Sequence, residues 1–155
     1  MKFNKPVSNP LLIGAVELLK AEPTTEHRAL FIGEMLKAEF LTPVILTPEP
    51  EQDEEGNWKL TNENKVQFPT LSAPDGKQFF MAFTDKSELE KWRPGEQKHT
   101  FSCTYEDYFA MLMRRDKEGN YGPAWGFVIN PFGCNMVVDR NMIINLFVRK
   151  NPPQK

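Results

Sequence analysis

Histidine and cysteine are scarce in this chain, with two of each among 155 residues. His27, His99, Cys103 and Cys134 form no Cys-x-x-Cys or His-x-x-x-His clip, which removes the usual zinc sites. Two cysteines are also too few for a disulfide-stapled secreted scaffold, so reduced thiols in a cytoplasm are expected. No Gly-x-Ser-x-Gly surrounds Ser72, Ser87 or Ser102, and a serine triad has no foundation. Glycine-rich strand-to-helix loops are missing too: Gly119, Gly122 and Gly126 lead into a strand, the wrong order for cradling phosphate at a helix N-terminus. The one run resembling a targeting segment, Leu11 to Leu19, is interrupted by Glu17, preceded by Pro10 and too short to span a bilayer. Nor is there an excess of positive charge. Nineteen Lys and Arg against 21 Asp and Glu leave a formal charge of -2, which gives no drive toward nucleic acid or anionic lipid.

Apolar side chains, by contrast, are plentiful. Hydrophobic residues make up 40% of the chain and include twelve Phe, enough to fill one core and to exclude general disorder. Asn9-Pro10 reads as an N-cap with proline at the first helical position, followed by a stripe of Leu11, Leu12, Ala15, Val16 and Leu19. Pro23 breaks that helix, Thr24 or Thr25 caps the next, and Phe31, Ile32, Met35, Leu36 and Phe40 repeat the stripe. The short connection predicts an antiparallel helix pair. TPVILTP, fenced by prolines, predicts an outer strand. Residues 49–64, with Glu49, Glu51, Asp53, Glu54, Glu55 and Glu63 against Lys59 alone, predict a solvated loop or loose hairpin.

KVQFPTL and KQFFMAF flank Ala73-Pro74-Asp75-Gly76 and predict paired antiparallel strands, the second central with cover on both faces. Asp85 and Glu88 have capping-box spacing, and Leu89 and Trp92 follow on the inner face. Lys98 to Cys103 predicts a strand. Thr104 caps a helix that turns Tyr105, Tyr108, Phe109 and Leu112 to one side, with Glu106 and Asp107 complementing its dipole. Asp116 to Pro123 is turn chemistry. In the next strand Trp125, Phe127 and Ile129 are expected to alternate with Gly126 and Val128. Cys134 to Val138 predicts another strand, and Asp139 caps a last helix that buries Met142, Ile143, Leu146 and Phe147. Asn151-Pro152-Pro153 ends in a frayed tail.

Between those last two strands lies Asn130-Pro131-Phe132-Gly133. Asn at the first position, Pro at the second and Gly at the fourth are the preferences of a type I turn, so the tetrad is primarily a corner. A large apolar side chain at a turn tip also makes Phe132, with Asn130 and Pro131, the candidate partner-binding group.

The order of landmarks carries a resemblance. NPLLIGAVELLKAEPTTEHRALFIGEMLKAEFLTPV is followed by QFPTLSAPDGKQFFMAFTDKSELEKW, then YEDYFAMLM, then GFVINPFGCNMVVDRNMI. Over roughly residues 9–147 this resembles the SseB family N-terminal domain. The resemblance implies a bacterial, cytoplasmic α+β domain without a settled activity.

The expectation is therefore a single α+β domain over 1–155, with its core at about 9–149 and an acidic loop at 49–64. It has a mostly antiparallel sheet of five to six strands, covered by the N-terminal helix pair and three further helices. No catalytic residue, metal or cofactor is expected. The function expected is a non-enzymatic protein- or peptide-interaction module. The competing reading is a small-molecule or peptide-modifying enzyme using His99 with Cys103 or Cys134. A polar pocket around those groups would favour the enzyme. A shallow apolar patch at Phe132, or an unpaired strand edge near Val44, would favour binding.

Overall fold

The computed structural model describes residues 1–150, with side chains through residue 146. The expected burial of Phe147 and the expected frayed tail at Asn151-Pro152-Pro153 lie outside the described side chains and residues. The chain runs β1 (Lys2–Phe3), α1 (Pro10–Ala21), α2 (Thr25–Lys37), β2 (Glu39–Thr47), β3 (Glu51–Gln52), β4 (Trp58–Lys59), β5 (Lys65–Gln67) and β6 (Thr70–Ser72). It continues through β7 (Gln78–Ala82), α3 (Lys86–Leu89), β8 (His99–Thr104), α4 (Tyr105–Met113), β9 (Ala124–Ile129), β10 (Met136–Asp139) and α5 (Arg140–Lys150).

The helices begin where their caps lie. Thr24 accepts from the His27 N–H and Asp85 from that of Glu88. Thr104 and Asp107 form a reciprocal capping box, and Asp139 Oδ1 accepts from the Met142 N–H at 2.9 Å. These bonds satisfy N–H groups that a helix start otherwise leaves without partners. Asn9 departs from this pattern. It occupies the N-cap position of α1 but makes no side-chain cap bond. Its Nδ2 instead donates to the carbonyls of Glu39 at 2.7 Å and Thr84 at 2.9 Å, tying the start of β2 to the end of β7. The second helix also stops earlier than its apolar stripe suggests: Leu36 is exposed and Phe40 belongs to β2.

The α+β class holds, but the single sheet of five to six strands does not. Among the described residues there are two four-stranded sheets, ordered β1-β8-β2-β5 and β10-β9-β7-β6, and a two-stranded hairpin β3-β4. Most pairs are antiparallel, whereas β7 and β9 run parallel, with α3, β8 and α4 in the connection between them. The two larger sheets meet at one bridge, where Leu41 and Phe83 exchange backbone hydrogen bonds of 2.8 and 3.0 Å.

The expected outer strand β2 is instead central, flanked by β8 and β5, and the bridge explains how it accommodates a proline. Residues of an antiparallel strand direct their N–H and C=O to alternate edges. Leu41 faces β7, so Pro43 faces the same edge, between the bridge and the β5 pairing that begins at Ile45. The missing proline N–H therefore falls in the gap between the two sheets, and the strand tolerates it. The edge near Val44 is consequently closed, with Val44 paired to His99. KVQFPTL is likewise divided: β5 pairs with β2, and only β6 pairs with β7.

Two apolar clusters result from strand alternation. Phe80 and Ala82 join the main core with Leu12, Phe31, Phe40, Tyr108, Phe127 and Ile143, while Met81 and Phe83 pack with Leu41 and Leu89 on the opposite face. Both faces of β7 are covered, as its sequence predicts. Trp125 breaks the expected alternation. Gln78 pairs with Ala124 but Phe79 with Gly126, so Trp125 is the extra residue of a β-bulge and points outward, 41% exposed. A bulge shifts the pleat by one residue, which separates Trp125 from the buried Phe127 and Ile129.

Candidate functional site

The tetrad at residues 130–133 forms the corner between β9 and β10. The Asn130 carbonyl accepts from the N–H groups of Gly133 and Asn135, both at 2.9 Å, and the Asn130 N–H donates to Ala82 O at 2.9 Å. Its side chain also binds across the fold. Oδ1 accepts from the Thr84 N–H at 3.0 Å, and Nδ2 donates to Thr84 Oγ1 at 2.9 Å. Asn130 holds φ at 47°, in the left-handed region that asparagine tolerates better than most residues. Thus the predicted turn is present, and the N–H received by its asparagine comes from the end of β7 rather than from within the turn.

Neighbouring elements brace this corner. Lys20 of α1 donates its ammonium to the Cys134 carbonyl. The Glu88 carboxylate lies against Gly133, where an added Cβ would stand 2.8 Å from Oε2. At the tip, Phe132 is 46% exposed, whereas Asn130 is buried and Pro131 partly so. The three candidate partner-binding residues therefore occupy different environments. Phe132 presents surface, and Asn130 fixes the backbone behind it.

The scarce reactive groups are dispersed. His99 opens β8, with Phe3 stacked on its ring at 5.6 Å and Trp58 against it edge-on at 4.8 Å. Asn4 Nδ2 lies 3.1 Å from its Nδ1. Burial lowers its pKa, partly opposed by the Glu49 carboxylate, so the neutral imidazole is favoured. Trp58 thus anchors the otherwise exposed acidic hairpin onto β8. Cys103 shares a face with His99 but lies four residues further along the strand, roughly 13 Å at the usual rise. Burial raises the Cys103 pKa to about 11, keeping the thiol protonated and poorly nucleophilic. Cys134 is half-buried, its Sγ contacts Ile129 O at 3.5 Å, and burial raises its pKa as well.

Both cysteines are free thiols. A thiol reagent applied to the native protein at mildly alkaline pH is expected to spare Cys103 and to label it after denaturation. Mass mapping of the modified residue checks this, and rapid native labelling of Cys103 would contradict its buried, protonated state.

Two surface cavities lie elsewhere. A groove of about 610 Å³ between α1 and α2 is lined by Leu11, Gly14, Leu18 and Leu30, with Glu17 and Glu34 at its rim. A second, of about 400 Å³, is bounded by Val7, Leu41, Leu89 and the buried stem of Lys98. Neither is lined by His99, Cys103 or Cys134. Among the described residues no group of three or more His, Cys, Asp or Glu could hold a metal ion, and no helix is long and apolar enough to cross a membrane. Leu11, grouped above with the apolar stripe of α1, is 72% exposed and belongs with Gly14, Leu18 and Ala21 to a second stripe beside the buried one, the sequence signal for the exposed face of Leu18 and Leu30.

Comparison with known proteins supplies the family. The model for the SseB protein N-terminal domain matches residues 12–145. No curated protein and no solved structure matches the chain.

Proposed function

The chain belongs to the SseB family through its N-terminal domain, and from that premise we propose that it is a non-enzymatic protein- or peptide-interaction module, acting as one domain in the bacterial cytoplasm. One observation carries the reading: Phe132 stands half exposed on a corner whose backbone is held by the Asn130–Thr84 pair. An aromatic side chain presented by a rigid backbone loses little further backbone freedom when a partner covers it, which favours association. The protonated thiols and the distance from His99 to Cys103 support binding over nucleophilic chemistry.

The test replaces Phe132 by a photo-crosslinking phenylalanine analogue in the full chain within a bacterial host, with the same analogue at the exposed Glu54 as control. A discrete protein adduct from position 132 that is absent from position 54 is expected. Identical patterns, or no adduct, would remove the corner from the proposed interface. Phe132→Ser is expected to change folding stability by less than about 0.5 kcal/mol, because it uncovers no core. Chemical denaturation measures that change.

A further inference from the structure

We propose that the surface around Tyr121 and Trp125 is a second binding site, selective for an acidic peptide segment and separate from the Phe132 corner. The bulge at the start of β9 turns Trp125 out of the core. Bulges commonly re-aim a side chain beside a functional surface. Cations surround the ring presented here. Lys77 Nζ lies 4.7 Å from the centroid of Trp125 and Arg140 Cζ lies 5.3 Å from it. Arg140 Cζ is also 4.3 Å from the Tyr121 centroid, and Arg115 Cζ is 4.7 Å from that same ring.

Hydrogen bonds hold both guanidinium groups in place. Arg140 Nη2 donates to Ala124 O at 2.6 Å, and Arg115 Nη2 donates to the Tyr121 hydroxyl at 2.7 Å. Among the described residues, no ion pair involves either arginine, and the carboxylate nearest Lys77 in an ion pair is Asp75 at 3.9 Å. Arg140 is moreover the first residue of α5, whose first turn contains no acid beyond the capping Asp139 carboxylate, which is engaged by the Met142 N–H. A cation at a helix N-terminus adds to the positive end of the dipole rather than opposing it. Three cations thus converge on two aromatic rings, and neither arginine among them is ion-paired, on a chain whose formal charge is -2.

Carboxylates satisfy this arrangement through charge-assisted bonds to arginine, and the exposed indole covers the apolar parts of the same peptide. Tryptophan, tyrosine and arginine are the residue types that most often dominate binding energy at protein interfaces. A peptide is favoured over a single-stranded nucleic acid because only three cations gather here, whereas a phosphate backbone calls for a continuous basic track.

Fluorescence anisotropy with the full chain tests the proposal, using a short labelled peptide rich in Asp and Glu, its Asn and Gln counterpart, and an oligothymidylate. The acidic peptide is expected to bind and the amide peptide not to. Affinity should fall as salt rises. Arg115→Glu and Trp125→Ala are each expected to weaken binding by about tenfold. Arg115 is exposed, so an unchanged melting temperature in Arg115→Glu separates lost contact from lost fold, whatever Trp125→Ala does to stability. Absence of acidic-peptide binding, equal binding of the two peptides, tighter binding of the oligothymidylate, or wild-type affinity in Arg115→Glu would each overturn the assignment.

Discussion

Gly126→Ala is expected to destabilise the fold by about 3 kcal/mol or more, at the upper end of what single substitutions do. The added Cβ would stand 2.2 Å from the Val138 carbonyl oxygen and 2.7 Å from Asp139 Cα. Both obstacles are backbone, so no side-chain rotation relieves the overlap. Gly126 is paired with Asp139 in the β9–β10 ladder, and relief requires those strands to separate. Separation would expose Val138, which is fully buried, and would disturb Asp139 as the cap of α5, the helix that places Ile143 in the core. Chemical denaturation checks the result. A midpoint equal to wild type would mean that the strands do not approach as closely as described.

Asn130→Ala is the second large loss, at about 3 kcal/mol, and it has two separable causes. Removing the amide leaves the buried Thr84 N–H without its acceptor and Thr84 Oγ1 without its donor. An unsatisfied buried group costs about 1–3 kcal/mol. Alanine must also adopt the positive φ of this position, at about 1–2 kcal/mol. Asn130→Gly removes the first contribution's partner groups but carries no comparable φ penalty, and should be more stable than Asn130→Ala by about 1 kcal/mol. Denaturation of the two variants side by side tests this order. If alanine matched glycine, backbone strain would not contribute. If both matched asparagine, the link between β7 and the corner would have no energetic role. The same link holds the backbone behind Phe132, so both variants should also weaken any crosslink formed from that position.

The helix starts were legible because their causes are local. Thr24, Asp85, Thr104 and Asp139 each bond to an N–H three residues ahead, a distance that spacing along the chain already specifies. The corner was legible for the same reason, since the bond from Gly133 to Asn130 spans one turn. Strand partners were legible only across the turn at residues 73–76, where β6 pairs antiparallel with β7. Pro43 suggested an outer strand, and only the gap between β5 and the Leu41–Phe83 bridge reveals why a central strand accommodates it. Trp125 looked like a core residue in a regular pleat, but the register of β7 against β9 turned it outward.

For the candidate sites the division is similar. The prominence of Phe132 followed from its turn, and the inertness expected of His99, Cys103 and Cys134 followed from the lack of any spacing that would gather them. The grouping of Lys77, Arg115 and Arg140 around two aromatic rings joins residues from separate segments and leaves no periodic trace.

The chain alone determined its α+β class, the five helices among the described residues, the side-chain caps of four of them and the corner at residues 130–133, because each is set by side chains within a few positions of one another. Tertiary structure alone decided that the strands divide among three sheets, that Asn9 and Asn130 tie distant elements together, and that Trp125 faces solvent among cations. These outcomes depend on which edge meets which, and that choice is made by contacts between segments far apart along the chain.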